Sequence, residues 1–258
     1  MKKAKSIKAR KLEFHVFVAQ ALPRLRQLKE QGDRATFNEV MEKLLPGVKR
    51  YISRRLATAV SKGLVPVRKY KVEDFVGDLF IKAYDHIHEV KEDRHFHTWL
   101  FKKADELLDD AITEEEFDGA FFENIDDYGK PELDEMEEKF STDGDGDLVM
   151  EEELDDLSYP KNDYGLKDVF VENTERGLVE KLDKELSEEE IQRHINRVMH
   201  HLPAPVRDVF DLCVNQHFEP EQTAAIKRMP VEKTKKYLAE ARRLIRLSFE
   251  NKYLSLKT

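Results

Sequence analysis

The chain has 258 residues, of which 38% are charged and 40% hydrophobic, with one cysteine and a formal charge of −9. A single cysteine (Cys213) excludes an internal disulfide framework and fits a reducing compartment. No run reaches the ~18 apolar residues of a membrane span, and Met1-Lys-Lys-Ala-Lys-Ser-Ile-Lys8 lacks the apolar core of a signal peptide, so a cytoplasmic protein with no membrane partner is expected.

The net charge conceals strong polarity along the chain: +12 over residues 1–104, −27 over 105–190 and +6 over 191–258. Two cationic modules suited to phosphate backbones are joined by an anionic connector. Residues 1–35 form a basic helical extension, with Leu12, Val16, Ala19, Leu22, Leu25 and Leu28 at helical spacing up to Gly32-Asp33. A second helix carries Phe37, Val40, Leu44, Val48, Tyr51 and Ile52 on one face, and Arg50, Arg54 and Arg55 on the other. Residues 61–70 read as a loop broken by Gly63 and Pro66.

A third helix starts near Val72, its early acids placed at the positive end of the helix dipole. Its apolar stripe is Phe75, Leu79 and the stretch from Phe80/Ile81 to Tyr84. Phe96-His-Thr-Trp-Leu-Phe101 opens a fourth helix whose tail, Ala104 to Ile112, turns acidic. Phe96, Trp99 and Phe101 read as core. Residues 113–187 hold too many like charges and too few apolar anchors for a large core of their own. Ser187-Glu-Glu-Glu190 has the spacing of a capping box and announces a helix with Ile191, Ile195, Val198 and Leu202 inward. Further helices follow over 204–216, 220–228 and 232–249.

The last two helices have the outline of a helix-turn-helix. Small Ala224 permits close packing, Met229-Pro-Val231 makes the turn, and the second helix presents Lys233, Lys235, Lys236, Arg242 and Arg243 to phosphates and base edges. A plain helical hairpin with a solvated basic face has the same pattern. Leu202-Pro203, Arg207-Asp-Val-Phe-Asp-Leu212, the hairpin from Gln222 to Arg242, and Ala241-Arg-Arg-Leu244 together resemble the fourth conserved region of bacterial sigma factors of the extracytoplasmic-function type. Asp74-Phe-Val-Gly-Asp-Leu-Phe-Ile-Lys-Ala-Tyr84 and Phe96-His-Thr-Trp-Leu100 resemble that family's second region. The resemblance covers roughly 36–112 and 188–250.

The resemblance implies an all-α chain of two small helical domains, 36–112 and 188–258, joined by the acidic linker 113–187. It implies a non-enzymatic subunit that binds core RNA polymerase through Asp74, Asp78 and Phe80. Promoter DNA would be read through Lys233, Lys235, Lys236, Arg242 and Arg243, and the linker would thread a cationic channel. An anti-sigma factor is a further partner of such proteins. Two departures mark an atypical member. Gly77 stands where the family commonly has Gln, and Lys102-Lys-Ala-Asp-Glu-Leu-Leu-Asp-Asp110 is acidic where the family is basic. Carboxylates facing phosphates repel, which points to help from a second DNA-bound protein.

Inside the linker, Ser141, Asp143, Asp145, Asp147 and Glu152 fall on the first, third, fifth, seventh and twelfth positions of an EF-hand loop, with Gly146 at the sharp turn. With Ser141 replacing a carboxylate, this reads as a weak calcium site or as an acidic linker that meets the pattern by composition; no other cofactor is expected. His86, His88, His95, His97, His194, His200 and His201 lack a cysteine partner and read as surface or base-stacking residues rather than zinc ligands. No nucleophile is paired with a base. The other functional classes in view are a helix-turn-helix regulator without polymerase contact, and a calcium-responsive acidic interaction protein.

Overall fold

The computed structural model describes residues 7–122, 140–142, 148–150 and 186–254, together with Leu166, Phe170 and Leu182. In chain order the helices are α1 (Ile7–Glu30), α2 (Arg34–Glu42), α3 (Pro46–Ser61), α4 (Val72–His86), α5 (Phe96–Phe122), α6 (Glu188–His201), α7 (Ala204–Phe210), α8 (Pro220–Ile226) and α9 (Val231–Phe249). Regular structure among the described residues is thus helical apart from a hairpin of two short strands, β1 (Phe140–Thr142) and β2 (Leu148–Met150). Two compact units emerge: residues 1–125 with 216–229, and residues 126–215 with 230–258. The division falls inside the stretch 188–258, so that α8 belongs to the first unit and α9 to the second.

The first unit is built on the apolar faces of α1 to α5. On α1 the buried stripe is Val18, Leu22, Leu25 and Leu28, not the register that includes Val16. Two positions along a helix lie about 200° apart, so burying Val18 turns Val16 outward, where it is 56% exposed. Gly32 (φ +71°) ends α1 in the left-handed conformation. Asp33 then caps α2, its Oδ1 accepting from the Thr36 N–H at 3.1 Å.

The single helix expected across Phe37 to Ile52 is two helices. Pro46 has no N–H and clashes with the turn before it, so it opens α3 rather than continuing α2. Phe37, Met41, Leu44, Leu45, Val48, Tyr51 and Ile52 still converge on one core. On α4 the buried stripe is Phe75, Val76, Leu79 and Ala83. Ile81, expected in that stripe, faces outward at 61% exposure. Phe96 and Phe101 are fully buried, as their spacing predicts, whereas Trp99 is half-buried and stacks on Phe96 at 6.2 Å.

α5 runs past the expected end at Ile112 to Phe122. Its added turns are anchored by Glu115, which is buried, accepts from the Tyr70 hydroxyl at 2.7 Å and pairs with Lys69. The start of the acidic stretch is therefore helix.

In the second unit the expected capping box forms. The Ser187 hydroxyl accepts from the Glu190 N–H at 3.3 Å, and Glu190 accepts from the Ser187 N–H at 2.8 Å. α6, α7 and α9 pack around Ile195, Val209, Phe210, Ala241, Ile245 and Phe249, with Leu166, Phe170 and Leu182 also buried. Phe249 lies at the centre, its ring 4.3 Å from His194 and 6.1 Å from Phe170.

β1 and β2 pair antiparallel, with Ser141 opposite Val149. β1 thus covers Phe140 and the first two positions of the EF-hand-like loop, Ser141 and Thr142. Ser141 lies in β1; Asp143, Asp145, Asp147 and Glu152 lie outside the described residues.

Candidate functional site

Two surfaces hold the α4 and α9 residues that the sequence singles out, and other residues form a buried cluster. The first surface is the outward face of α4. Glu73, Asp74, Gly77, Asp78, Ile81 and Asp85 are exposed along it and Phe80 is half-buried at its edge. A Cβ added at Gly77 meets nothing within 4 Å, so the centre of this face is open. Ile81 is thus an exposed apolar residue bordered by carboxylates. Asp74 also serves its own helix, accepting from the Lys71 N–H at 2.9 Å and so capping α4. Asp78 and Ile81 have no such capping role and are the cleaner probes of this face.

The second surface is α9. Thr234, Leu238, Ala241, Ile245 and Phe249 turn inward at helical spacing, and Lys233, Lys235, Lys236 and Arg243 are exposed, with Arg242 half-buried beside them. Lys233, Lys236 and Arg243 share one stripe, with Glu240 between them; Lys235 and Arg242 follow an adjacent one. Small Ala239 is exposed between Lys235 and Arg242. Arg243 is held by Glu240 at 2.7 Å, which raises the guanidinium pKa and lowers that of the carboxylate. Of the predicted contacts, the three lysines face water most directly.

The cluster joins α3, α5 and α8 within the first unit and was not foreseen. Asp105, fully buried, accepts from the Tyr51 hydroxyl at 2.6 Å and from Lys227 Nζ at 2.7 Å, and it pairs with Arg55. Arg55 also reaches Asp109 at 2.9 Å, and Asp109 pairs in turn with Arg228. Two carboxylates one helical turn apart thus serve three cations. Of the acids after Trp99, in a stretch where the family resemblance implies DNA contact, Asp105 and Asp109 are counterions within this unit. A signal for this was present: Asp105 falls on the same face as Phe101, Ala104 and Leu108, and a carboxylate on an apolar face calls for a buried cation.

Beside these ion pairs lies an aromatic cluster. Phe218, buried, has its ring centroid 4.8 Å from Phe101, 5.1 Å from His97 and 5.1 Å from His15. His15 Nε2–H donates to the Gln216 carbonyl at 2.9 Å. His97 is therefore a core residue, not the surface or base-stacking residue expected of it. Neither ring nitrogen of His97 has a hydrogen-bond partner among the described residues. Burial, and then the nearby His15, hold its pKa well below the usual histidine range.

His194 is likewise buried, with Nε2 2.9 Å from Ser248 Oγ beside an open cleft of about 600 Å³ lined by Arg197, Leu247, Asn251 and Lys252. Its Nδ1 has no hydrogen-bond partner among the described residues. Burial, then the charges of Lys252 and Arg197, bring its pKa to about 4. A histidine depressed in the folded state contributes stability above its unfolded value of ~6.5 that is lost as pH falls toward the folded value. The second unit is therefore expected to lose about 2 kcal/mol between pH 6.5 and 4, allowing for solvent on the open side of the cleft. Urea melts across that window check this; His194→Phe is expected to flatten the dependence.

Among the described residues no cluster of three or more metal-ligating side chains occurs, and no helix is long and apolar enough to cross a membrane. Protein-family models, curated proteins and solved structures gave no match to this chain.

Proposed function

We propose that the chain is a transcription-initiation subunit of the extracytoplasmic-function sigma type, with α4 docking on core RNA polymerase and α9 facing promoter DNA. The observation that carries this reading is the α4 face, where Ile81 is 61% exposed among Asp74, Asp78 and Asp85. Desolvating such a residue against a partner is favourable by about 25 cal/mol per Å², and the flanking carboxylates favour a cationic rim on the partner. The lysines of α9 supply the sequence-independent part of DNA binding through counterion release. No catalysis by the chain is required. An anti-sigma factor, or a second DNA-bound protein that places the complex, belongs to the same reading.

A helix-turn-helix regulator with no polymerase contact is the second reading, favoured by the cationic face of α9 standing on its own unit. Retention of core polymerase by the tagged full chain separates the two. The wild type is expected to retain polymerase, and Asp78→Lys with Ile81→Lys to reduce retention at least ~10-fold with an unchanged circular dichroism spectrum. Equal retention by the variant overturns the docking face; no retention by the wild type favours the regulator.

A further inference from the structure

Asp105 and Asp109 pair with Lys227 and Arg228. We propose that these two carboxylates stand in for nucleic-acid phosphate, masking Lys227 and Arg228, which become phosphate-binding residues when duplex DNA displaces them. This rests on the DNA-facing reading of the C-terminal region.

Four observations point this way. First, Lys227 and Arg228 follow directly on α8, Lys227 as its C-cap, and lead into the turn before α9, a position from which a helix-turn-helix commonly touches the DNA backbone. Second, a carboxylate offers a cation what a phosphate oxygen offers: a delocalised negative charge and charge-assisted hydrogen bonds. Third, Arg228 adopts φ +51°. It occupies the residue after the helix C-cap, where the Met229 N–H bonds back to the Ala224 carbonyl, and where glycine is the unstrained choice. An arginine in that conformation carries backbone strain that glycine would not, and its side chain is paired with Asp109.

Fourth, the pairs are graded in accessibility. Arg228 and Asp109 have side chains 45% and 36% exposed, within reach of a competing polyanion. Lys227 and Asp105 are 9% and 1% exposed. Displacement therefore starts at the outer pair, where salt screens the attraction, and proceeds inward. His217, also left-handed at φ +56°, precedes α8, so residues of unfavourable backbone conformation bracket the helix held on the first unit.

The test uses the full chain and a fluorescent random-sequence 30-base-pair duplex, with affinity measured across a salt series. Asp109→Asn, nearly isosteric and half-exposed, is expected to tighten binding about fivefold at low salt, the weight of one partly exposed ion pair. Arg228→Gln is expected to weaken binding and reduce the salt slope by about one. In the Arg228→Gln background, Asp109→Asn is expected to add nothing. Hydrogen exchange of the α8 amides is expected to quicken in Asp109→Asn.

Equal tightening by Asp109→Asn with or without Arg228 would reduce the effect to general loss of negative charge and overturn the proposal. Unchanged affinity in Asp109→Asn does the same. The DNA-facing reading has its own arm: Lys233→Ala with Lys236→Ala must lower both affinity and slope. If that pair has no effect while Arg228→Gln does, α9 fails and the masking stands. If no variant binds duplex at any salt, both fall.

Discussion

Asp105→Ala is expected to destabilise the first unit by about 3–5 kcal/mol, the cost of leaving buried cations without their partner. Three groups share this carboxylate: Tyr51, Arg55 and Lys227. Removing Asp105 takes an acceptor away from the hydroxyl of Tyr51, a residue only 1% exposed. It also leaves Arg55 and Lys227, with side chains 12% and 9% exposed, facing each other beside Asp109 alone. The net charge of the cluster goes from three cations against two carboxylates to three against one. Urea melts monitored through the Trp99 fluorescence report on this unit. A loss under ~1 kcal/mol would mean that water enters and solvates the cations, and that the buried pair is worth no more than a surface one.

Phe218→Ala is expected to cost a similar amount, about 3–5 kcal/mol, because the ring fills the space between His15, His97 and Phe101 and a methyl group leaves a cavity. The site of the loss distinguishes it from Asp105→Ala. Phe218 enters the first unit on a segment returning from far along the chain, so the cavity loosens that segment before the rest. Amide exchange is expected to accelerate in α8 first and in α3 and α4 later, as for a locally opening element. Phe218→Leu, which keeps most of the volume, is expected to lose less than ~1.5 kcal/mol. Uniform acceleration through the whole unit would mean that α8 is an integral part of one cooperative core.

Much of the architecture was legible where local rules act alone. The capping box at Ser187, the acids at the start of α4 and the inward stripe of α9 are short-range features, written within a few residues of where they operate. Pro46 shows the limit of pattern reading. The apolar periodicity carries across it, and only the missing N–H breaks the helix. Ile81 shows another limit, since an apolar residue next to an apolar stripe looks internal until the helix axis is fixed by its neighbours. The ion cluster was the hardest to foresee. Asp105 meets Arg55 across 50 residues and Lys227 across 122, and nothing in the local sequence names a partner at that distance. The acidity after Trp99 was visible; that it turns inward depends on where Phe101 and Leu108 point.

The basic residues of α9 divide in the same way. Lys233, Lys235 and Lys236 are exposed on α9 because Thr234, Leu238 and Ala241 fix which side faces the core. Arg243 was chosen on charge alone, and its engagement with Glu240, three residues back on the same helix, needed only the spacing rule for helical neighbours.

Gly77 offers a practical opening on the α4 face. An interior helical glycine is about 1 kcal/mol less favourable than alanine, so any side chain placed there gains helix stability before it does anything else. A Cβ there meets nothing within 4 Å, so a photoreactive amino acid or a spin label starts from open space. The same position thus becomes a tether from which whatever settles on this helix can be trapped and its distance measured.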